Sequence, residues 1–319
     1  MTEQRSSGDI LADRRYRYAQ ACLADGDVLG CADVAEQALA LAPRYAPAWL
    51  VLGQAREGLF RQTGETAHRE GALVAFRAAH AIDPDDALGA RAHLAGLGDA
   101  EGLPALSPAY IRALFDGYAP RFERHLVEGL GYVGPALLRD ALPAHARFAH
   151  ALDLGCGTGL AGAAVRGHAG HLTGVDLSPG MLALARAKGC YDRLVEADIV
   201  AFLAAEPPNS ADLCLAADVL IYVADLAPAL AGIARVLRPG GLAALTVQSP
   251  ADPDGGRRAL GGASLSQDGR YAHTDAEVAA AVDGAGLDTL TLRPATVRSE
   301  RGRPVPGRVA VLRRGKPGG

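Results

Sequence analysis

Short apolar runs recur through the second half of the chain: HALDL (150–154), HLTGVDL (171–177), RLVEAD (193–198), ADLCLAA (211–217) and GGLAALTVQ (240–248). Runs of this length, bounded by turn residues, predict buried strands. Between them lie helical stretches such as SPGMLALARAKG (178–189) and LAPALAGIARVLRPG (226–240). Strand alternating with helix predicts a mostly parallel sheet covered on both faces. DTLTLRPATVRSE (288–300) and RVAVLRR (308–314) have no long helix between them. They predict an antiparallel hairpin at the sheet edge.

The first part of the chain has a different texture. From about Arg14 to Leu97 it reads as helices with short breaks. Trp49, Leu52 and Gly53 stand in AWLVLGQA (48–55), and Ala72, Phe76, Ala79 and Pro84 in GALVAFRAAHAIDPDD (71–86). Tyr18 and Ala19 lie 34 residues before Leu52 and Gly53, followed by Cys31, Ala35, Ala38 and Pro43. ADVAEQALALAP (32–43) and ALVAFRAAHAIDP (72–84) are thus the same helix twice, with small residues for close packing and proline as the stop. The region resembles tetratricopeptide repeats, although AREGLFRQTGETAHREG (55–71) is about seven residues too long before the second helix. ALGARAHLAGLG (87–98) would cap the array. The resemblance implies a partner-binding groove, a homodimer surface, or packing against the rest of the chain. GDAEGLPALSP (98–108) has the Gly and Pro of a linker. Helical sequence resumes over 109–142.

Composition narrows the function classes. The formal charge of −4 gives no general pull toward nucleic acid, and no apolar run reaches membrane-spanning length. MTEQRSSGDILADRR has no basic stretch followed by an apolar core. Five cysteines, never spaced CxxC, argue against a disulfide framework or structural zinc and for a reduced cytoplasm. The histidines are scattered, so no metal cluster is expected.

The chemistry concentrates in ALDLGCGTGLAG (151–162). Such a turn, where a strand enters a helix, aims backbone N–H groups into a cleft. Gly157, Gly159 and Gly162 match GxGxxG, a weak signal that fits a nicotinamide dinucleotide. The acids favour S-adenosylmethionine. Asp153 precedes the turn, where an anion repels pyrophosphate and suits the ammonium of a methionine moiety. Asp176, in GVDLS, can accept both ribose hydroxyls, which by itself fits either cofactor, and Asp198, in EADI, can accept from an adenine amino group.

With LDLGCGTG, GVDLSPGMLALARAKG, EADI, ADLCLAADVLIYV and LRPGG together, the chain resembles the class I S-adenosylmethionine-dependent methyltransferases over about 110–314. More narrowly it is similar to bacterial methyltransferases preceded by tetratricopeptide repeats, through LFDGYAPRFERHLVEGLGYVGP and GRYAHTDAEV. The resemblance implies a seven-stranded Rossmann-like sheet and three parts: a tetratricopeptide-like domain (1–104), a helical lid and linker (105–148) and the methyltransferase domain (149–319). It implies a cofactor pocket of Asp153, Gly155, Cys156, Gly157, Thr158, Gly159, Asp176, Leu177, Met181, Asp198, Ile199 and Ala217. Phe115, Tyr118 and Phe122, on one helical face, should form the lid, with Tyr118 toward the methionine carboxylate.

In-line methyl transfer needs alignment and dryness, and a general base only when the acceptor arrives protonated. Candidates for that role are Tyr222, His125 and His273. Asp218, Tyr222, Arg270 and Tyr271 are expected on the acceptor side, and Arg270 and Arg298 could pair with an acceptor carboxylate. His273 alternatively bonds a carbonyl or caps a helix. The acceptor, small molecule or protein, is not legible. A tetratricopeptide adaptor with a non-catalytic cofactor domain is the competing reading.

Overall fold

The computed structural model describes residues 6–99, 106–250, 264–265, 269–300 and 302–315. Residues 100–105 of the linker stretch and the final four residues lie outside the described residues. The chain divides into two compact units, Met1–Ala113 and Leu114–Gly319. Among the described residues, no helix is long and apolar enough to cross a membrane.

The first unit is built from α1 (Ile10–Ala24), α2 (Val28–Leu41), α3 (Ala46–Thr63), α4 (Thr66–Ile82) and α5 (Ala90–Gly96). Asp9 caps α1 by accepting from the Leu11 and Ala12 N–H groups, and Asp27 caps α2 through Gly30. The connections are only a few residues long, so successive packed helices run antiparallel. Their interface is made of small side chains: Ala19, Cys31, Ala35, Ala38, Ala55 and Ala75 are buried together. Gly53 shows why size matters, since a Cβ there would stand 2.5 Å from the Phe76 ring. The seven surplus residues form no loop. Counted from the matching repeat positions, α3 runs five residues further past Gly53 than α1 past Ala19, α4 starts three residues further ahead of Ala72 than α2 ahead of Cys31, and the break between the helices is one residue shorter. The break falls at Gly64, whose φ of 75° ends α3 in the left-handed region.

α6 (Pro108–Tyr118) runs across the boundary between the units. The second unit then contains a seven-stranded sheet of β1 (Phe148–Leu154), β2 (Ala169–Asp176), β3 (Arg193–Glu196), β4 (Ala211–Ala216), β5 (Leu237–Gln248), β8 (Leu287–Glu300) and β9 (Arg303–Arg314). Two short strands, β6 (Ser264–Leu265) and β7 (Tyr271–Ala272), pair separately. The sheet order is β3-β2-β1-β4-β5-β9-β8, with the first five strands parallel and β9 antiparallel to both neighbours. α7 (Gly134–Ala141), α8 (Leu160–Val165), α9 (Pro179–Lys188), α10 (Ile199–Ala205), α11 (Ala227–Val236) and α12 (Asp275–Gly284) complete it.

The apolar runs are continuous because both sheet faces are covered. Leu152, Leu154, Cys214, Ala216 and Leu245 join one core with Leu203, Leu230 and Ile233. The residues between them, Ala151, Leu213, Leu215 and Ala244, join the opposite core with Leu138, Val165 and Leu172. The strand order reverses at β1, with β2 on one side and β4 on the other. A crevice therefore opens outside their carboxyl ends, the usual ligand position in such sheets.

The segment after α6 is not plain α-helix. A 3-10 turn covers Ala119–Arg121 and a π-helical turn Arg124–Gly129. Beyond it the chain is tied to the sheet: Val133 N–H donates to the Val297 carbonyl at 2.9 Å, and Ser299 N–H to the Leu130 carbonyl at 2.8 Å. The β6–β7 pair, whose second strand lies in GRYAHTD, is an element the sequence pattern does not suggest, because two residues carry no period.

Candidate functional site

The turn after β1 bends through three left-handed glycines, Gly155 (φ 66°), Gly157 (φ 53°) and Gly159 (φ 92°). A Cβ at Gly155 would collide with the Val219 side chain, whereas at Gly157 only the Phe122 ring lies within 4 Å, at 3.9 Å. Gly157 is thus the place where the backbone faces open space under the lid segment. Cys156 and Thr158, between the glycines, are buried, and Thr158 lies beside Glu123.

Asp176, at the end of β2, fastens this turn. Its Oδ2 accepts from Gly157 N–H at 2.9 Å and its Oδ1 from Ser178 N–H at 2.9 Å. Burial raises its pKa, opposed by those N–H groups. Each oxygen keeps a second lone pair for a hydroxyl. Asp198 caps α10, with Oδ1 accepting from the Val200 and Ala201 N–H groups. Leu177 and Ala217 are half-buried at the ends of their strands, while Met181 and Ile199 are buried.

Asp153 departs from the sequence expectation. The sequence sets it opposite an ammonium; the structure buries it completely, with Oδ2 accepting from the Tyr191 hydroxyl at 2.6 Å. Burial outweighs that hydrogen bond and raises the carboxyl to about 7. No motif in the sequence singles out Tyr191. Its ring fills the space behind the turn: a Cβ at Gly162 would collide with its hydroxyl, and one at Gly174 would stand 2.9 Å from the ring. Those two glycines are the trace that Tyr191 leaves in the sequence.

A stability prediction follows from Asp153. A carboxyl whose pKa is raised in the folded state binds its proton more tightly there than in the unfolded chain. Between the ordinary value of 3.8 and about 7, its contribution to stability falls as pH rises; above that window it is constant. Asp153→Asn should remove this slope. Melting temperatures of wild type and variant, compared from pH 5 to 8, should diverge with wild type relatively weaker at the high end. Parallel curves would show that Asp153 titrates normally.

The residues expected on the acceptor side are held in a buried ion network. Asp218 has a left-handed backbone (φ 57°), held by its N–H on Thr246 Oγ1 at 2.8 Å. Arg298 is 2% exposed and donates to both Asp218 oxygens at 2.7 Å, to Gln248 at 2.7 Å and to Glu300 at 3.0 Å. Arg270 also donates to Glu300 and lies against Tyr222. Two carboxylates and two guanidiniums therefore form one neutral cluster. Arg298 is engaged internally and does not meet an acceptor carboxylate, because leaving Asp218 buried alone would cost more than a surface contact could return.

His273 and Tyr271 are likewise internal. Tyr271 is buried on β7. His273 is buried, its backbone N–H donates to the Gln248 carbonyl at 2.8 Å, and burial lowers its pKa. It fits the alternative of a structural histidine near the Leu220 and Val223 carbonyls. Tyr222, in the 3-10 turn after β4, meets Phe115 edge-on at 5.2 Å, and burial raises its pKa. Phe115 reaches Phe122 at 6.2 Å, and Phe122 reaches Tyr118 at 5.3 Å. Tyr132, which no sequence motif marks, is near Asp218, Asp153 and Tyr222, with its hydroxyl pKa raised by burial.

Tyr118 already has a polar partner. Its hydroxyl bonds His125 Nδ1, so the need that points it at a cofactor carboxylate is met within the lid. The segment is latched to α9 at two points. Asp116 Oδ1 accepts from Ser178 Oγ at 2.5 Å and Gly180 N–H at 3.0 Å, and Glu123 pairs with Lys188 at 2.7 Å. Asp116→Ala should raise proteolytic cleavage within 110–130 by roughly tenfold if the latch contributes ~1.4 kcal/mol. Cleavage equal to wild type would mean that other contacts hold the segment.

These residues fit a nucleoside better than a dinucleotide. The Gly157 N–H, which a pyrophosphate would need, is given to a carboxylate, and Asp153 and Asp176 put two acids beneath the turn. Asp176 and Asp198 offer acceptors for a ribose diol and an exocyclic amine. The fold and site together define a class I S-adenosylmethionine-binding α/β protein.

Comparisons with known proteins agree. A family model described as a methyltransferase domain matches residues 152–245. The malonyl-[acyl-carrier protein] O-methyltransferase of Dechloromonas aromatica is 30% identical over 202 residues, covering 60% of this chain and 70% of that protein. The Enterobacter lignolyticus protein of the same name is 35% identical over 146 residues, 45% of this chain and 55% of its own length. The chain spans 55%, 35% and 62% of the length of three curated relatives, two malonyl-[acyl-carrier protein] O-methyltransferases and the human methyltransferase-like protein 27. A Burkholderia thailandensis 1,6-didemethyltoxoflavin-N1-methyltransferase structure, with its namesake ligand and S-adenosylhomocysteine bound, shares the fold at TM-score 0.50 and 20% identity, covering 67% of this chain and 93% of that one. The chain belongs to the S-adenosylmethionine-dependent methyltransferases.

Proposed function

We propose that the chain methylates an oxygen of a small-molecule acceptor, one that is ionised at neutral pH. The observation that carries this is the neutral cluster beside Tyr222: Asp218 is held by Arg298, and the Tyr222 hydroxyl pKa is raised by burial. Neither is a ready base, so an acceptor that needs none suits the site. S-adenosylmethionine supplies the activated methyl group. Asp176 and Asp198 hold its nucleoside, Phe115 and Tyr222 wall the acceptor, and the lid segment excludes water. The relatives named as O-methyltransferases support an oxygen acceptor. A non-catalytic adaptor is disfavoured, since the acids and glycines of the cofactor turn are all in place.

The test is incubation of host extract with methyl-labelled S-adenosylmethionine, with and without the protein. Label in a low-molecular-weight methyl ester or aryl ether supports the reading. Label on nitrogen, or only on protein, overturns it.

The helical unit, in this reading, is a tetratricopeptide-like array that serves a partner or a second copy. The paired hairpins and the Gly53–Phe76 approach support it. Removing residues 1–113 should leave a folded protein that binds S-adenosylhomocysteine as tightly as the full chain, by calorimetry. An insoluble product would instead assign the helices a packing role.

A further inference from the structure

Tyr132 stands among the groups at the end of β4 and takes part in none of their bonds. The chain leaves the π-helical turn through Gly131, whose φ of 61° is left-handed, and Tyr132 N–H donates back to the Leu126 carbonyl at 3.1 Å. The residues near it are tied to β8, Ser299 N–H to the Leu130 carbonyl and Val133 N–H to the Val297 carbonyl. Between those two β8 residues lies Arg298, whose guanidinium holds Asp218. The tie brings the Tyr132 hydroxyl among Asp218, Asp153, Arg298 and Tyr222. Its ring turns back across the start of α7, where a Cβ at Gly134 would stand 2.6 Å from the hydroxyl oxygen.

What the hydroxyl lacks is a bond. Arg298 occupies Asp218, Tyr191 occupies Asp153, and Tyr222 lies against Arg270. Among the described residues the Tyr132 hydroxyl has no hydrogen-bond partner, although the residue is half-buried. A phenol covered in this way ordinarily finds an acceptor. Burial raises its pKa, and the Asp218 and Asp153 carboxyls add to that. The hydroxyl therefore keeps its proton, and it offers a donor rather than a base. The strand order reverses at β1, between β2 and β4, and the crevice outside their carboxyl ends is the space a ligand fills.

We propose that Tyr132 is an acceptor-binding residue, its hydroxyl donating to the ionised oxygen of the acceptor beside Tyr222. The inference rests on the methyltransferase reading and narrows it: the acceptor presents a compact oxyanion, as a phenolate or a carboxylate does. One lone pair of that oxygen is held by the phenol. Another attacks the methyl carbon in line, and the carbon–sulfur bond gives its electrons to sulfur. Tyr132 keeps its proton, and the charges of oxyanion and sulfonium cancel.

The experiment uses the full chain and its Tyr132→Phe, Gly134→Ala and double variants. Gly134→Ala keeps the hydroxyl but pushes the ring off its place. The probe is 4-nitrophenolate, titrated at pH 8 into S-adenosylhomocysteine-saturated protein and into the protein alone, and followed by its absorption band. A hydrogen bond to the phenolate oxygen moves that band to shorter wavelength. Wild type should bind the probe with this shift. Both single variants should bind it about tenfold more weakly and without the shift, while their S-adenosylhomocysteine affinity stays within about twofold of wild type. The double variant should be no weaker than either single one, because both changes remove the same contact. No probe binding by wild type, an unshifted band, or equal binding by wild type and Tyr132→Phe overturns the proposal. A loss confined to S-adenosylhomocysteine gives the hydroxyl to the cofactor and overturns it equally. Wild type that fails to bind S-adenosylhomocysteine counts against the methyltransferase reading, and the titration of the protein alone still judges Tyr132.

Discussion

Arg298→Met should destabilise the second unit by about 3–5 kcal/mol, the usual cost of stranding a buried charge. Arg298 donates to both Asp218 oxygens, and it also engages Gln248 and Glu300. Burial already raises the Asp218 pKa, with Arg298 the largest opposing influence. Without it, Asp218 must take a proton or open the turn after β4. The loss should show in denaturant unfolding, on the transition that S-adenosylhomocysteine shifts. Asp218→Asn added to Arg298→Met should recover part of the loss, since it removes the stranded charge. A single variant as stable as wild type would mean that water reaches the cluster and screens it.

Asp176→Ala should weaken S-adenosylhomocysteine binding by roughly 2–4 kcal/mol, about thirty- to nearly a thousandfold. Two effects add. The ribose loses a carboxylate acceptor, and the Gly157 and Ser178 N–H groups lose the carboxylate that fixes the turn and the start of α9. The wild type should bind S-adenosylhomocysteine and not NAD, because there the Gly157 N–H that a pyrophosphate would need is held by Asp176. Calorimetry on the folded variant decides it. Unchanged affinity would place the ribose elsewhere, and NAD binding tighter than S-adenosylhomocysteine would undo the cofactor assignment.

The sheet, its terminal hairpin and the cofactor class are legible in the bare sequence. Those are local or periodic properties: a run such as ADLCLAA is buried on both sides wherever helices flank it. The glycine turn is legible for the same reason, since Gly155, Gly157 and Gly159 all adopt the positive φ that glycine permits. The acids at 153, 176 and 198 mark strand ends, so their neighbourhood can be read, but not their bonds.

Which polar groups consume one another is settled only in the folded chain. Tyr191 reaches Asp153 across 38 positions, and Arg298 reaches Asp218 across 80. No spacing rule links residues that far apart. Tyr118 points to a ligand in the sequence because its nearby partner, His125, comes into reach only through the π-helical turn at Arg124–Gly129. Burial then sets the outcome. A buried acid or guanidinium is costly without a partner in a medium of low polarity, so the folded chain commits Asp153 and Arg298 to internal bonds.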